Sequence, residues 1–181
     1  MNHSSSNVLR IEPATVRHLE LLLAGDEKGF ASEFGLTLAP GYVQHQGALE
    51  HSMQTLRNGT APQWATHLFI HSQERAVIGI GGFAHPPING EVEIGYSIAP
   101  SYQGAGHATS AARQLVDAAR AAGLSKVVAH TLAEYGPSTR ILSRLGFDQT
   151  QELEDPEDGL ILRWELALRD ARPNLRQPDG A

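Results

Sequence analysis

The order of apolar segments predicts an α/β (α+β) domain, with a mixed, mostly antiparallel sheet of about six to seven strands flanked by about four helices. Three observations carry this reading. Residues 65–71 and 76–83 are apolar runs on either side of a polar turn, which is a hairpin pattern. Residues 91–99 follow the turn Pro86-Pro87-Ile88-Asn89-Gly90, so three consecutive strands pair antiparallel. Residues 91–132 then read as strand, glycine-rich loop, long alanine-rich helix and strand, the pattern of a right-handed crossover between two parallel strands.

In chain order, residues 8–12 alternate like a strand, and 13–24 carry Val16, Leu19, Leu22 and Leu23 at helical spacing. From 26 to 59 the pattern weakens: helical stretches are interrupted by Pro40 and Gly41, and 47–57 reads as a second helix. Within 106–122, Ala108, Ala112, Leu115 and Ala119 share one face, and Gly123 stands where a helix prefers to end. Small side chains on that face let the helix lie close to the sheet. Residues 126–132 are a short apolar strand. Pro137 at a helix start, Ile141, Leu142 and Leu145 on one face, and Gly146 at its end define a fourth, short helix. Residues 148–154 and 160–167 form a closing hairpin.

A chain of 181 residues with 41% hydrophobic content can bury a substantial core as one unit. That unit is expected to span 8–168, between a flexible N-terminus over 1–7 and a tail over 169–181 whose Pro, Arg, Asp and Gly content favours disorder. The formal charge of -6 argues against a nucleic-acid backbone as main partner and suits an amine better. With no cysteine, disulfides, thiolate metal sites and an acetyl-cysteine intermediate are excluded. No metal ligand set is visible in the sequence. The polar start lacks the apolar core of a secretion signal, and no apolar run approaches membrane-spanning length, so a cytoplasmic enzyme with no membrane partner is expected.

The most specific segment is the loop after the third of these strands, Pro100-Ser101-Tyr102-Gln103-Gly104-Ala105-Gly106-His107-Ala108. Gly104 and Gly106 can adopt angles closed to other residues and bring main-chain N–H groups to an anion, while the helix behind adds the positive end of its dipole. A ligand carrying pyrophosphate is therefore expected. The nucleotide-binding loop ending in Lys-Ser/Thr is excluded, because His107-Ala108 stands in its place. The dinucleotide fingerprint fits only in its first two glycines, since Thr109 occupies the third position and the next strand offers no acidic residue for a ribose.

Gln103, Gly106 and Ala108 match the acetyl-CoA loop of the GNAT superfamily of N-acetyltransferases, which the chain resembles over roughly residues 9–167. Gly81-Gly82-Phe83, Val92-Glu93-Ile94-Gly95-Tyr96, His130-Thr131-Leu132 and Leu145-Gly146-Phe147 are similar to the branch that includes the ribosomal-protein alanine acetyltransferases. The resemblance implies that acetyl-CoA is the cofactor and that Gln103, Gly104, Ala105, Gly106, His107 and Ala108 form its cradle. It also implies a GNAT-like sheet splayed at the parallel pair, by a bulge for which Gly95 is best suited; the alternative is that Gly95 merely accommodates a crossing aromatic. Divergence after Tyr96 would leave the gap between Ile98 and Val127-Val128 for the amide-rich pantetheine arm.

Acyl transfer to an amine needs a base, an oxyanion stabiliser and an acid for the leaving thiolate. Glu93, on the strand leading into the cradle, is the candidate base; a solvated edge carboxylate is the alternative reading. The main-chain N–H of Ile98 is the candidate oxyanion donor. For the acid, the resemblance points to residues 134–138, where relatives carry Asn in place of Tyr135 and keep a Ser matching Ser138. Ser138 is then the acid or a helix cap, and Tyr135 is the acid, a contact to the CoA arm, or a packing residue. His107 and His130 read mainly as structural.

For the acceptor, Glu152, Glu154, Asp155, Glu157 and Asp158 crowd the last hairpin turn and would attract an ammonium group or a basic N-terminus, unless they simply face solvent. Trp64, Phe69 and residues 30–34 are candidates for an apolar subsite or for core. The expected activity is direct acetyl transfer from acetyl-CoA to a primary amine, on a protein N-terminus or a small molecule. The alternative is a non-catalytic acyl-CoA-binding module. A homodimer is compatible with the fold, and nothing in the sequence establishes one.

Overall fold

A computed structural model of the chain describes residues 8–43, 46–134 and 136–168. The N-terminal and C-terminal segments expected over 1–7 and 169–181, and Tyr135, lie outside the described residues. The chain runs β1 (Leu9–Pro13), α1 (Val16–Leu23), α2 (Glu27–Phe34), β2 (Thr37–Leu38), α3 (Gln46–Arg57), β3 (Thr66–His71), β4 (Ala76–Phe83), β5 (Glu91–Ile98), α4 (His107–Ala121), β6 (Lys126–Leu132), α5 (Pro137–Arg144), β7 (Asp148–Asp155) and β8 (Gly159–Ala167). The eight strands form one sheet in the order β1-β3-β4-β5-β6-β8-β7, with β2 alongside β4. The short α2 and β2 are the elements that the weak pattern between 26 and 59 conceals.

Alternation along β3 divides the molecule into two cores. Leu68 and Ile70 join Leu19, Phe30 and Leu49 beneath α1 to α3, while Phe69 joins Val92, Ala111, Leu115 and Val127 beneath α4. Burial of Ala111, Ala112 and Ala119 at 0% exposure is why α4 can lie so near the strands. Helix α1 begins at Thr15, whose hydroxyl accepts from the His18 N–H while the Thr15 N–H donates to His18 Nδ1. Phe69 and Phe30 are fully buried and Trp64 packs edge-on against Phe83 at 5.1 Å, so these aromatics are core rather than subsite.

The sheet opens at its one long parallel junction. β5 and β6 pair only over Glu91 to Glu93 against Lys126 to Val128. Beyond that point β5 stays with β4 as far as Ile98, and β6 stays with β8 along its whole length. Each strand keeps its antiparallel partner and the less stable parallel pairing is the one that gives way. The fork therefore starts after Glu93, three residues before the expected point at Tyr96. Nor does a bulge at Gly95 cause it: Gly95 faces Gly82 in unbroken register.

At the closed end of the fork, four charges form an alternating ring across three strands. Arg163 bonds Glu91 at 3.0 Å and Glu165 at 2.8 Å, and Lys126 reaches the same two carboxylates at 3.4 and 3.0 Å. Hydrogen bonds from Arg163 hold both carboxyls below their ordinary range. The ring ties β5, β6 and β8 together just before the strands part.

Candidate active site

Two cavities meet at β5. The first, of about 380 Å³, lies between α3 and the Gly81-Gly82 segment of β4, and among its lining residues Glu93 is the sole carboxylate. The second, of about 580 Å³, runs from the open fork to the cradle and the start of α5. Tyr96 and Ser97 line both. Both volumes fall within the usual range of small-ligand sites.

The second cavity is built for an anion. Gly104 and Gly106 adopt φ of 78° and 83°, and a Cβ at either would meet no atom within 4 Å, so the backbone conformation rather than space selects glycine. Gly106 is the N-cap of α4 and no side chain caps that end, which leaves the first-turn N–H groups for a ligand. Gln103 folds back, its Nε2 donating to the Ile98 carbonyl at 2.9 Å, so the loop is pinned to the end of β5. Of the expected cradle residues, Gln103, Gly104, Gly106, His107 and Ala108 line the cavity and Ala105 does not. Helix α5 adds Arg140 and Arg144, two cations that the sequence reading passed over; their i, i+4 spacing behind Pro137 was the available signal.

Burial, then the neighbouring His71, lowers the His107 pKa below its ordinary value. His107 contacts His71 at 5.5 Å between ring centroids, and Tyr102 beside it donates to Glu74. His107 thus faces the cradle as a neutral imidazole backed by a polar cluster.

The main chain of β5 alternates between its two neighbours. The Glu93 carbonyl accepts from Ala84 and the Ala99 N–H donates to Ile78, both on the β4 side. Ile94, Tyr96 and Ile98 therefore turn their main-chain groups to the β6 side, where strand pairing has ended. Ile98, the expected oxyanion donor, is thus on the gap side of β5.

Glu93 projects into the first cavity, one-third exposed, and its Oε1 lies 2.9 Å from His130 Nδ1. The structural reading of His130 is incomplete: from β6 it reaches across the opening of the fork to the candidate base. Ser138 follows Pro137 in the first turn of α5, lines the second cavity and is exposed. Its alternative reading as a cap falls away, because the N-cap of α5 is Gly136 and the side chain that bonds back to it is that of Thr139, whose Oγ1 accepts from the Gly136 N–H at 3.1 Å and donates to the Gly136 carbonyl at 2.8 Å.

Tyr96, which the sequence presents only as part of a motif and as the expected point of divergence, lines both cavities. Its hydroxyl is buried and has no hydrogen-bond partner among the described residues. Burial pushes the phenol up to about 12, and the nearby Ser138 hydroxyl opposes this. The acidic hairpin turn lines neither cavity: Asp155 Oδ1 accepts from the Glu157 and Asp158 N–H groups and so organises the turn itself. Among the described residues no cluster could hold a metal ion, and no helix is long and apolar enough to cross a membrane.

No curated protein matches the chain by sequence. Among solved structures, it is similar to the ribosomal-protein-S5-alanine acetyltransferase from Vibrio fischeri, at 15% identity and a TM-score of 0.67 over 92% of this chain and 96% of that one. It is similar to a dodecameric spermidine N-acetyltransferase from Vibrio cholerae, at 14% identity and a TM-score of 0.64 over 90% and 95%. It is also similar to the microcin C7 self-immunity acetyltransferase MccE, solved with acetyl-CoA and AMP, at 17% identity and 0.61 over 88% and 92%. At these identities the likeness is one of fold. Residues 9–148, however, match the family described as acetyltransferase (GNAT) domain. This chain, with its forked sheet and glycine cradle, belongs to the GNAT acetyltransferase family.

Proposed function

We propose that the protein is an acetyl-CoA-dependent N-acetyltransferase of the cytoplasm, which transfers the acetyl group directly to a primary amine of a small molecule or a protein N-terminus. The meeting of two cavities at Tyr96 and Ser97, with Glu93 on one side and the cradle on the other, is what supports this reading. Main-chain N–H groups of the cradle and the first turn of α4, with Arg140 and Arg144, would hold the phosphates of acetyl-CoA, and the gap-facing main chain of β5 would pair with its amide arm. Bound there, it supplies an activated acyl group.

The chain's own groups then divide the proton work. Glu93 takes the proton of the incoming amine, and His130 behind it receives or steadies that charge through the bond at 2.9 Å. Gap-side N–H groups, Ile98 among them, face the developing negative charge. Ser138 is well placed to return a proton to the leaving sulfur, a role also open to Tyr135. The single carboxylate of the first cavity suits an amine carrying one positive charge near the reacting end better than a polycation. A non-catalytic acyl-CoA-binding module would give no reason for a carboxylate and imidazole pair at the cavity junction. Self-association belongs to this proposal, after the dodecameric neighbour, and light scattering tests it.

The test is free-thiol release from acetyl-CoA against a panel of monoamines, polyamines and short peptides, with Glu93→Gln as control. Glu93→Gln should lower turnover by roughly 10²- to 10⁴-fold while leaving acetyl-CoA-dependent thermal stabilisation intact. Stabilisation without thiol release for any amine class would favour the binding module.

A further inference from the structure

Tyr96 sits on the strand where the two cavities join, three residues after Glu93 and on the opposite face of the sheet. Alternation turns Glu93, Gly95 and Ser97 towards the α3 side, while Val92, Ile94 and Ile98 pack into the core beneath α4 and the Tyr96 ring packs against that core. The ring is thus held in place by apolar contacts. Its hydroxyl is a donor sealed from solvent with no acceptor among the described residues. Such a group costs stability in the folded chain unless something completes it, and native proteins rarely keep one without a reason.

The neighbourhood limits what that completion can be. Ser138, at the first turn of α5, is the polar side chain near enough to act on the phenol, yet no hydrogen bond completes the Tyr96 hydroxyl among the described residues. The phenol holds its proton throughout the neutral range, so it can donate. Among the described residues no charged side chain acts on the phenol, which argues for a neutral acceptor atom rather than a phosphate; the phosphate end of the cavity lies at Gly104 to Thr109. What must reach the junction of the two cavities, between Glu93 and Ser138, is the acyl group itself.

Building on the reading of the second cavity as the acetyl-CoA site, we propose that the Tyr96 hydroxyl is a side-chain hydrogen-bond donor to the acyl carbonyl oxygen of acetyl-CoA, beside the gap-side N–H groups, and that the free protein keeps it unpaired for that purpose. Tyr96 then distinguishes the acylated from the free cofactor, a distinction that the glycine cradle, which sees only phosphates, cannot make. Its position on the far face of β5 from Glu93 also orients the thioester so that the amine approaches from the first cavity.

Tyr96→Phe tests this, since it deletes only the hydroxyl and keeps the ring that packs. Melting temperature is measured without ligand and over titrations of acetyl-CoA and of CoA, for wild type and variant. Without ligand the variant is expected to melt at or above wild type, because an unpaired buried donor has been removed. Its Kd for acetyl-CoA should weaken by on the order of five-fold with the Kd for CoA unchanged, as the loss of one neutral hydrogen bond implies. Equal weakening for both ligands, no weakening for either, or a clearly lower melting temperature without ligand would overturn the assignment. Absence of stabilisation of the wild type by either ligand would overturn the acetyl-CoA reading of the cavity, and this proposal with it; that outcome is seen in the wild-type arm alone.

Discussion

Gly81 and Gly95 lie on neighbouring strands at the wall of the first cavity, yet substitution by alanine should act on them in opposite ways. A Cβ on Gly81 would stand 2.3 Å from the Gly95 carbonyl oxygen, 2.5 Å from Phe69 Cζ and 2.7 Å from Tyr96 Cα. Phe69 is 0% exposed and cannot swing aside, and the other two atoms are backbone. To reach an ordinary contact of 3.4 Å, β4 and β5 must separate by about 1 Å, against tight packing on both faces. Overpacking of this kind costs about 1–3 kcal/mol, which for a chain of this size lowers the melting temperature by roughly 2–12 °C. A shift of that size in β5 would also displace Glu93 and Tyr96 relative to Ser138, enough to reduce acyl transfer by about a hundred-fold. Gly95→Ala meets nothing within 4 Å and needs no special backbone angle. It should leave the melting temperature at or slightly above that of wild type, while its methyl group intrudes on the first cavity and raises KM for the amine. Thermal and urea denaturation of both variants decide the matter. A Gly81→Ala protein as stable as wild type, or a Gly95→Ala protein that is the weaker of the two, would refute the packing reasoning.

Other consequences can be checked independently. His18, His67 and His107 are held below their ordinary pKa of 6.5 chiefly by burial, so the native state keeps them neutral while the unfolded chain takes up protons. Their contribution is fully present above that value and is lost as pH falls below it; the melting temperature should drop between about pH 7 and about pH 5, and less steeply in His67→Gln. His130→Ala should reduce kcat by about ten- to a hundred-fold, the range for loss of a bond to a charged group, with acetyl-CoA affinity unchanged. An equal loss in both would make His130 merely structural. Gly106→Ala forces a φ of 83° on a residue with a Cβ, so it should lose about 1–2 kcal/mol of stability and most of the thermal shift given by acetyl-CoA. Gln103→Ala frees the loop from the Ile98 carbonyl, and calorimetry should find acetyl-CoA bound about five-fold more weakly.

Local signals were enough for the parts of this protein that local physics decides. Hairpins announced themselves through apolar runs around polar turns, α4 through an alanine face ending at Gly123, and the cradle through two glycines before a helix. Glu93 could be singled out because a carboxylate on the strand entering a cradle is chemically conspicuous. What the windows of sequence did not contain was the competition between strands. β5 and β6 part after Glu93 because each keeps a longer antiparallel partner, β4 or β8, and that contest involves residues from 79 to 167. His130 looked inert on its own strand; it meets Glu93, 37 residues away, because the fork brings them face to face. Arg140 and Arg144 are unremarkable on α5 until that helix docks beside the cradle, and the Tyr96 hydroxyl stands out only once it is seen buried without a partner among the described residues. Periodicity and turn chemistry act over a few residues and are written in the chain; pairing, docking and the burial of a single polar atom depend on what arrives from elsewhere, so tertiary structure alone decided them.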